Sequence, residues 1–394
     1  MQGTQVPLDY SIHVDTIYSQ IDDLYYWVHP RAGTIPGDPA TVVLAMQKYY
    51  RIGDDYFGTV FEMRTHDVGQ TWVGPIEHDG TLSRRRYGEG MDMVICDFSP
   101  QWHAATGKLI GMGHTAIYAD NTDVPLLRAK NIPVYDAYSV YDEATHTWTP
   151  FKLLEIPDDK FYAIGGAGMQ RLELPNGDML VPCYYRLGSE FVWERTMWAC
   201  TVLRCSFDGE TVTYLEHGTE LLNDTWSGLA EPSLTRFKGK YYMTLRGQKG
   251  EVGYVTSGDD GLHYDQPQVW KWDDGSDLRS YNTQQHWITH SDGLFLVYTR
   301  DTGSNGHVCR HRSPLFIAQV DPDRLVLLRD TERVLLEDRG ADLGNFSTIN
   351  VTADVSYVFA NECLIAPGCQ QYGCDGSVFA IKLQWNKPNG EMGP

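Results

Sequence analysis

The chain alternates short strand-like runs with turn signals along almost its whole length. Val181-Pro182-Cys183-Tyr184-Tyr185, following the turn Asn176-Gly177, is typical. Short apolar, β-branched and aromatic runs bounded by Gly, Asn and Asp read as strands joined by tight turns. No stretch keeps a 3.6-residue apolar period over a helical length. The pattern predicts an all-β chain. Runs of about 18 or more apolar residues, the length that spans a bilayer as a helix, are absent.

The turns themselves repeat. Thr65-His66-Asp67-Val68-Gly69-Gln70-Thr71-Trp72 and Ser257-Gly258-Asp259-Asp260-Gly261-Leu262-His263-Tyr264 share the pattern S/T-x-D-x-G-x-x-aromatic. Asp accepts backbone N–H groups there, Gly supplies a positive φ, and the aromatic ring tucks between neighbouring sheets. Weaker copies lie around Asp142 to Trp148 and at Ser206-Phe207-Asp208-Gly209. Asp67 and Asp259 are 192 residues apart, three steps averaging 64, and 394 residues hold about six such steps. The motif resembles the Asp-box, or BNR repeat, of sialidase-like β-propellers. The resemblance implies one all-β domain over residues 1–394, a six-bladed β-propeller of the sialidase type. Its blades fall near 20–80, 90–150, 160–217, 225–275, 280–335 and 340–386, with seven blades of about 56 residues as the alternative. First and last blades should interlock to close the ring.

Composition agrees with that reading. Hydrophobic residues make up 42% of the chain, enough for a sizeable core, and 24 Tyr and 11 Trp favour strands. Formal charge is −20, a field that repels nucleic acid and anionic lipid, so neither is expected as a partner. Eight cysteines include no CxxC pair; Cys369 and Cys374 leave a disulfide, a metal clip or plain buried thiols open. Met1 to Tyr10 has no basic stretch followed by an apolar core. Cytoplasmic residence is expected for the chain as it stands, and a secreted or periplasmic one if a leader has been removed.

Aligning the hairpins on their turns brings residues about seven before and eight after each turn to a common rim. The pairs are Arg31 with Gln47, Ser99 with His114, and Gln170 with Tyr185 or Arg186. The others are Glu231 with Arg246, His286 with Arg300, and Phe346 with Glu362. One rim thus collects Arg, His, Glu and Gln, a funnel for an anion with acid/base groups beside it.

Three arginine contexts resemble those of sialidases: Arg31 before Ile35-Pro36, Arg246 closing the strand after Glu231-Pro232-Ser233, and Arg312 before Ser313-Pro314, with Arg310 in reserve. The resemblance implies a guanidinium clamp for a substrate carboxylate. Two departures stand out. Gln47 occupies the place of the family's acid/base Asp, with Asp54 and Asp55 following in a loop, and Phe346 replaces the nucleophilic Tyr, with Tyr372 a distant substitute. Histidine is on offer instead: His114, His286 and His29, with Tyr184 or Tyr185 as phenolic acid. The constellation resembles uronate-directed propeller lyases and unusual glycosidases. The expected activity is cleavage of a glycosidic bond at or next to an acidic sugar; exo-sialidase action and non-catalytic glycan binding are the alternatives. His114, His286, Tyr185 and Glu231 are expected to move protons. Arg31, Arg246, Arg312, Arg300, Gln47, Gln170, Arg186 and Glu362 are expected to bind an acidic oligo- or polysaccharide. No metal ligand set is diagnostic and no cofactor is expected, with a structural or axial divalent cation left open.

Overall fold

The computed structural model describes residues 8–51, 55–119, 132–188, 196–223, 225, 227–248, 250 and 252–392. They form six antiparallel sheets, each a meander whose first strand lies nearest a common axis. Blade I runs Tyr25–Ile35, Thr41–Tyr50, Phe57–Thr65 and Val73–Glu77. Blade II is built on Met91–His103, Lys108–Ala119 and Asp136–Asp142. In blade III the pieces Ile164–Gly165 and Leu172–Glu173 share the inner edge of Met179–Leu187, followed by Met197–Phe207 and Val212–His217. Blade IV begins with Leu229–Phe237 and Lys240–Gly247, blade V with His286–His290 and Gly293–Thr299. Blade VI runs Ser347–Thr352, Val355–Asn361 and Ser377–Trp385. Its outermost strand, Tyr10–Ser19, comes from the other end of the chain and pairs from Tyr10 opposite Trp385 to Ser19 opposite Ser377. Terminal strands in one sheet close the ring and leave no free seam. The fold is a six-bladed β-propeller of the sialidase type.

Both faces of each sheet are covered by its neighbours, which is why many strands read as near-continuous apolar runs. The cores lie between blades. Trp27, Val42 and Leu44 of blade I pack on Tyr357, Phe359 and Val378 of blade VI, and Ile110 and Met112 of blade II on Val181 and Leu203 of blade III. Turns at the outer strands are held as the repeat predicts in kind. The Asp67 carboxylate accepts the Thr71 N–H at 2.9 Å and the Thr65 hydroxyl at 2.7 Å. In the second copy the accepting carboxylate is Asp260, from Leu262 and His263 N–H, rather than the aligned Asp259.

The axis is knitted by side chains. Gln170 from blade III donates to the Trp287 carbonyl and the Thr348 hydroxyl and accepts the Trp287 N–H at 2.6 Å, tying blades III, V and VI. His286 shares a 2.9 Å hydrogen bond with Ser233 of blade IV. Arg31 donates to Gln284 Oε1 at 2.8 Å and to the Phe346 carbonyl at 3.3 Å.

Candidate active site

Three inner strands break their register at equivalent places. In blade I the pairing shifts between Val28 and Arg31, in blade II between Cys96 and Ser99, in blade IV between Ala230 and Ser233. Each bulge holds a non-glycine residue at positive φ: His29 at 54°, Asp97 at 54° and Glu231 at 45°. A β-bulge re-aims a side chain, and a left-handed L-residue costs about 1–2 kcal/mol, so three in register mark a constrained site. All three line one pit of about 260 Å³. That is small for a ligand pocket and suits one compact polar ring.

Asp97 is its centre. The carboxylate accepts Arg31 Nη2 at 2.7 Å and lies 3.2 Å from His29 Nδ1 and 3.9 Å from His114 Nδ1. Burial alone would raise its pKa, but His29, Arg31 and His114 outweigh burial and hold the group ionised, well below the usual carboxylate range. Burial pushes His29 down to about 4 against the pull of Asp97, so its ring is neutral at neutral pH. Across the pit Glu231 accepts Arg246 Nη1 at 2.6 Å, and that guanidinium keeps it ionised despite burial. Arg246 Nε and Glu231 Oε2 are buried without a hydrogen-bond partner among the described residues. Tyr184 enters from blade III, its ring edge-on to Trp198 at 5.4 Å. Burial, then the charges of Glu231 and Asp97, raises the phenol far above its ordinary value and keeps its proton on. Two glycines make the approach feasible. A Cβ on Gly165 would stand 3.1 Å from the Tyr184 hydroxyl and 3.4 Å from the His114 ring, and one on Gly168 would fall 1.9 Å from the Asp97 carbonyl.

The arginines in and behind the pit are mostly paired. Arg31 is matched by Asp97, Arg246 by Glu231 and Arg312 by Asp342 at 3.3 Å. Arg312 also donates twice to the Asn282 carbonyl, in space that a Cβ on Gly344 would close. Arg310 differs. It lines the pit, is exposed, sits at φ 53°, and has no carboxylate partner among the described residues. Asp55 also lines the pit, whereas Asp54 lies outside the described residues.

The structure redistributes the residues expected at the rim. His114, Glu231, Arg246 and Arg312 line the pit. Arg31 lies just behind it, 1% exposed. His286 does not reach the pit: it is 1% exposed in the axial network, and burial and Arg31 drive its pKa far down. Tyr185 is one residue out of phase; its hydroxyl meets Glu220 between blades while Tyr184 faces the pit. Gln170 binds Trp287 and Thr348 across the axis, and Gln47 donates to the Gly58 and Ile95 carbonyls. Arg300 is held by Glu332 at 2.8 Å, and Glu362 accepts the Asp375 and Ser377 N–H groups. Arg186 lines a separate groove. Phe346 is fully buried, and Tyr372 stacks near His307 away from the pit lining. All eight cysteines are free thiols, and among the described residues no three His, Cys, Asp or Glu side chains are grouped to hold a metal ion. No helix among the described residues is long and apolar enough to cross a membrane.

The comparisons with known proteins agree with the architecture. No protein-family model and no curated protein matches the sequence. Among solved structures, a protein of unknown function from Dyadobacter fermentans superposes with a TM-score of 0.62 at 12% identity, covering 95% of this chain and 99% of that one. The NanB sialidase of Streptococcus pneumoniae gives 0.62 at 12% identity over 95% of this chain and 71% of its own. Trypanosoma rangeli sialidase gives 0.57 at 12% identity, with 92% of this chain matched to only 55% of the enzyme. The chain is similar to these proteins in fold: a sialidase-like propeller.

Proposed function

We propose that this propeller cleaves a glycosidic bond at or next to an acidic sugar, with Arg310 meeting the sugar's carboxylate at the pit mouth. The observation that carries the reading is the convergence of His114, Tyr184 and Asp97 in one small pit with Arg310, a guanidinium that has no carboxylate partner among the described residues. Arg31, Arg246 and Arg312 each carry a carboxylate partner, which leaves Arg310 as the guanidinium to meet an anion. In the elimination route His114 takes the proton beside the carboxylate, and the electron pair left behind forms the ring double bond. The bond to the leaving oxygen breaks, and Tyr184 gives that oxygen its phenolic proton. Ionised Asp97, held by Arg31, favours the imidazolium that forms on His114. The route uses no cofactor, and its partner is an acidic oligo- or polysaccharide.

Asp55 favours a second reading, exo-hydrolysis, because it puts a further carboxylate on the pit lining. The two separate in one experiment. Ulvan, gum arabic, glycosaminoglycans and sialosides are incubated with the protein and followed for both ultraviolet absorbance and reducing ends. Absorbance of an unsaturated uronate supports elimination; reducing ends without it support hydrolysis; neither, with sugar bound, leaves a glycan-binding propeller.

A further inference from the structure

We propose that a groove between blades II and III, beside the pit, holds the chain of an oligosaccharide whose reacting sugar occupies the pit. The inference rests on the reading of the pit as a sugar site and extends it from a single ring to a polymer. The groove has a volume of about 1400 Å³, several times that of the pit. The two are adjacent through a shared wall. Ile164 lines both; Val134 and Ala163, joined by a parallel bridge, face the pit, while Tyr135 and Tyr162 beside them face the groove.

From that wall the groove runs to the outer strand of blade III at Val212, Thr213 and Tyr214. Partly exposed tyrosine rings line its course, Tyr135, Tyr162 and Tyr214, over the buried Tyr138 and Phe161. Tyr162 is the most open, 37% exposed. The guanidinium of Arg186 lies 6.0 Å from its ring, and the Tyr135 hydroxyl is fixed by Tyr87 at 2.8 Å. Lys152, Lys160 and Arg186 line the groove together with Glu155, Asp158 and Asp159. Tyrosine faces tipped with hydroxyls match the alternating apolar faces and hydroxyl edges of a sugar chain.

The test is calorimetric titration of the Tyr184→Phe protein, in which turnover should be slowed, with uronate mono-, di-, tetra- and hexasaccharides from the polymers named above. Affinity should rise about ten-fold or more from monosaccharide to hexasaccharide, as expected when further rings stack. Tyr162→Ala added to that protein should remove most of the gain while leaving monosaccharide affinity unchanged; Tyr162→Phe should retain it. Equal affinity at every length, or a gain that survives both Tyr162→Ala and Tyr214→Ala, overturns the groove and leaves the pit reading standing. Absence of binding by every uronate overturns the pit reading and the groove with it.

Discussion

The pit and the axial network beside it are built from the same inner strands, yet they handle polar groups in opposite ways. Around the axis, Gln170 uses both ends of its amide and His286 has a partner at each ring nitrogen. In the pit, His29, Asp97 and Glu231 sit at positive φ, and Arg246 Nε and Glu231 Oε2 find no partner among the described residues. One region pairs most of its polar atoms and locks the blades; the other combines unpaired atoms with three residues at positive φ. Arg31 joins the two, with Asp97 on one side and Gln284 on the other. Residue type alone does not separate them, since both contain arginine, histidine and serine or tyrosine. What separates them is the bulge.

The largest expected effect lies in the pit. Tyr184→Phe and His114→Ala should each lower kcat by roughly 10²–10⁴-fold, the usual weight of a proton-transfer group, with little change in melting temperature. Gln170→Leu, in the axial network, should leave kcat per folded molecule nearly unchanged. Steady-state assays paired with thermal melts check both, and a kcat loss in Gln170→Leu equal to that in Tyr184→Phe would erase the distinction between regions.

Asp97→Ala comes next, because it strips the partner from a guanidinium only 1% exposed. Leaving a buried charge unpaired costs about 3–5 kcal/mol. Denaturant unfolding should show that loss, and replacing Arg31 by Met in the same chain should recover most of it. If Asp97→Ala proves as stable as the parent, Arg31 is not the buried cation described. Smaller again is Gln170→Leu on stability: the Trp287 N–H loses its partner while the Trp287 carbonyl keeps the Thr348 hydroxyl, a cost of about 1–3 kcal/mol.

The same bulges explain what the sequence could and could not disclose. Turn spacing was enough for six blades, since a turn signal is local and survives any shift in strand pairing. The joining of Tyr10–Ser19 to blade VI gave no local signal beyond the general need to close a ring. Site residues depend on register, which the bulges shift. Turn-matched counting pairs Ser99 with His114 and Arg31 with Gln47, whereas the strands pair Cys96 with His114 and Val28 with Gln47. Asp97 was passed over by that count, although an Asp inside Val94-Ile95-Cys96-Asp97-Phe98 already conflicts with its apolar surroundings. Tyr185 was chosen over Tyr184 because a strand turns each successive side chain to the opposite face, so an error of one residue exchanges pit for core. His286 and Arg31 fall at the right radius but at the wrong depth, a coordinate that hairpin matching does not contain.

The smallest effect, in the intact protein, concerns pH. His29 is neutral in the fold and pushed down to about 4 by burial, and burial drives His286 down as well. Unfolding between about pH 4 and 6.5 therefore takes up protons at these rings, so the stability they contribute is complete above about 6.5 and is lost as pH falls. Asp136, buried between blades II and III near Ala167, runs the other way: burial raises it to about 7. The fold keeps a proton that the unfolded chain releases, so its contribution is full below about pH 4 and is lost as pH rises through 7. Burial raises Glu362 in the same sense as Asp136. His29 in the pit and His286 near the axis thus oppose Asp136 and Glu362, and the parent's stability should vary little from pH 4 to 6.5. Asp136→Asn removes one side of the balance. Its stability relative to the parent should climb as pH rises through that window, by up to about 1.4 kcal/mol per pH unit, the weight of one proton. Chemical denaturation at matched pH values reads the difference directly. Parallel profiles for the two proteins would mean that Asp136 is ionised in the fold, and that the regions away from the pit carry no opposing proton.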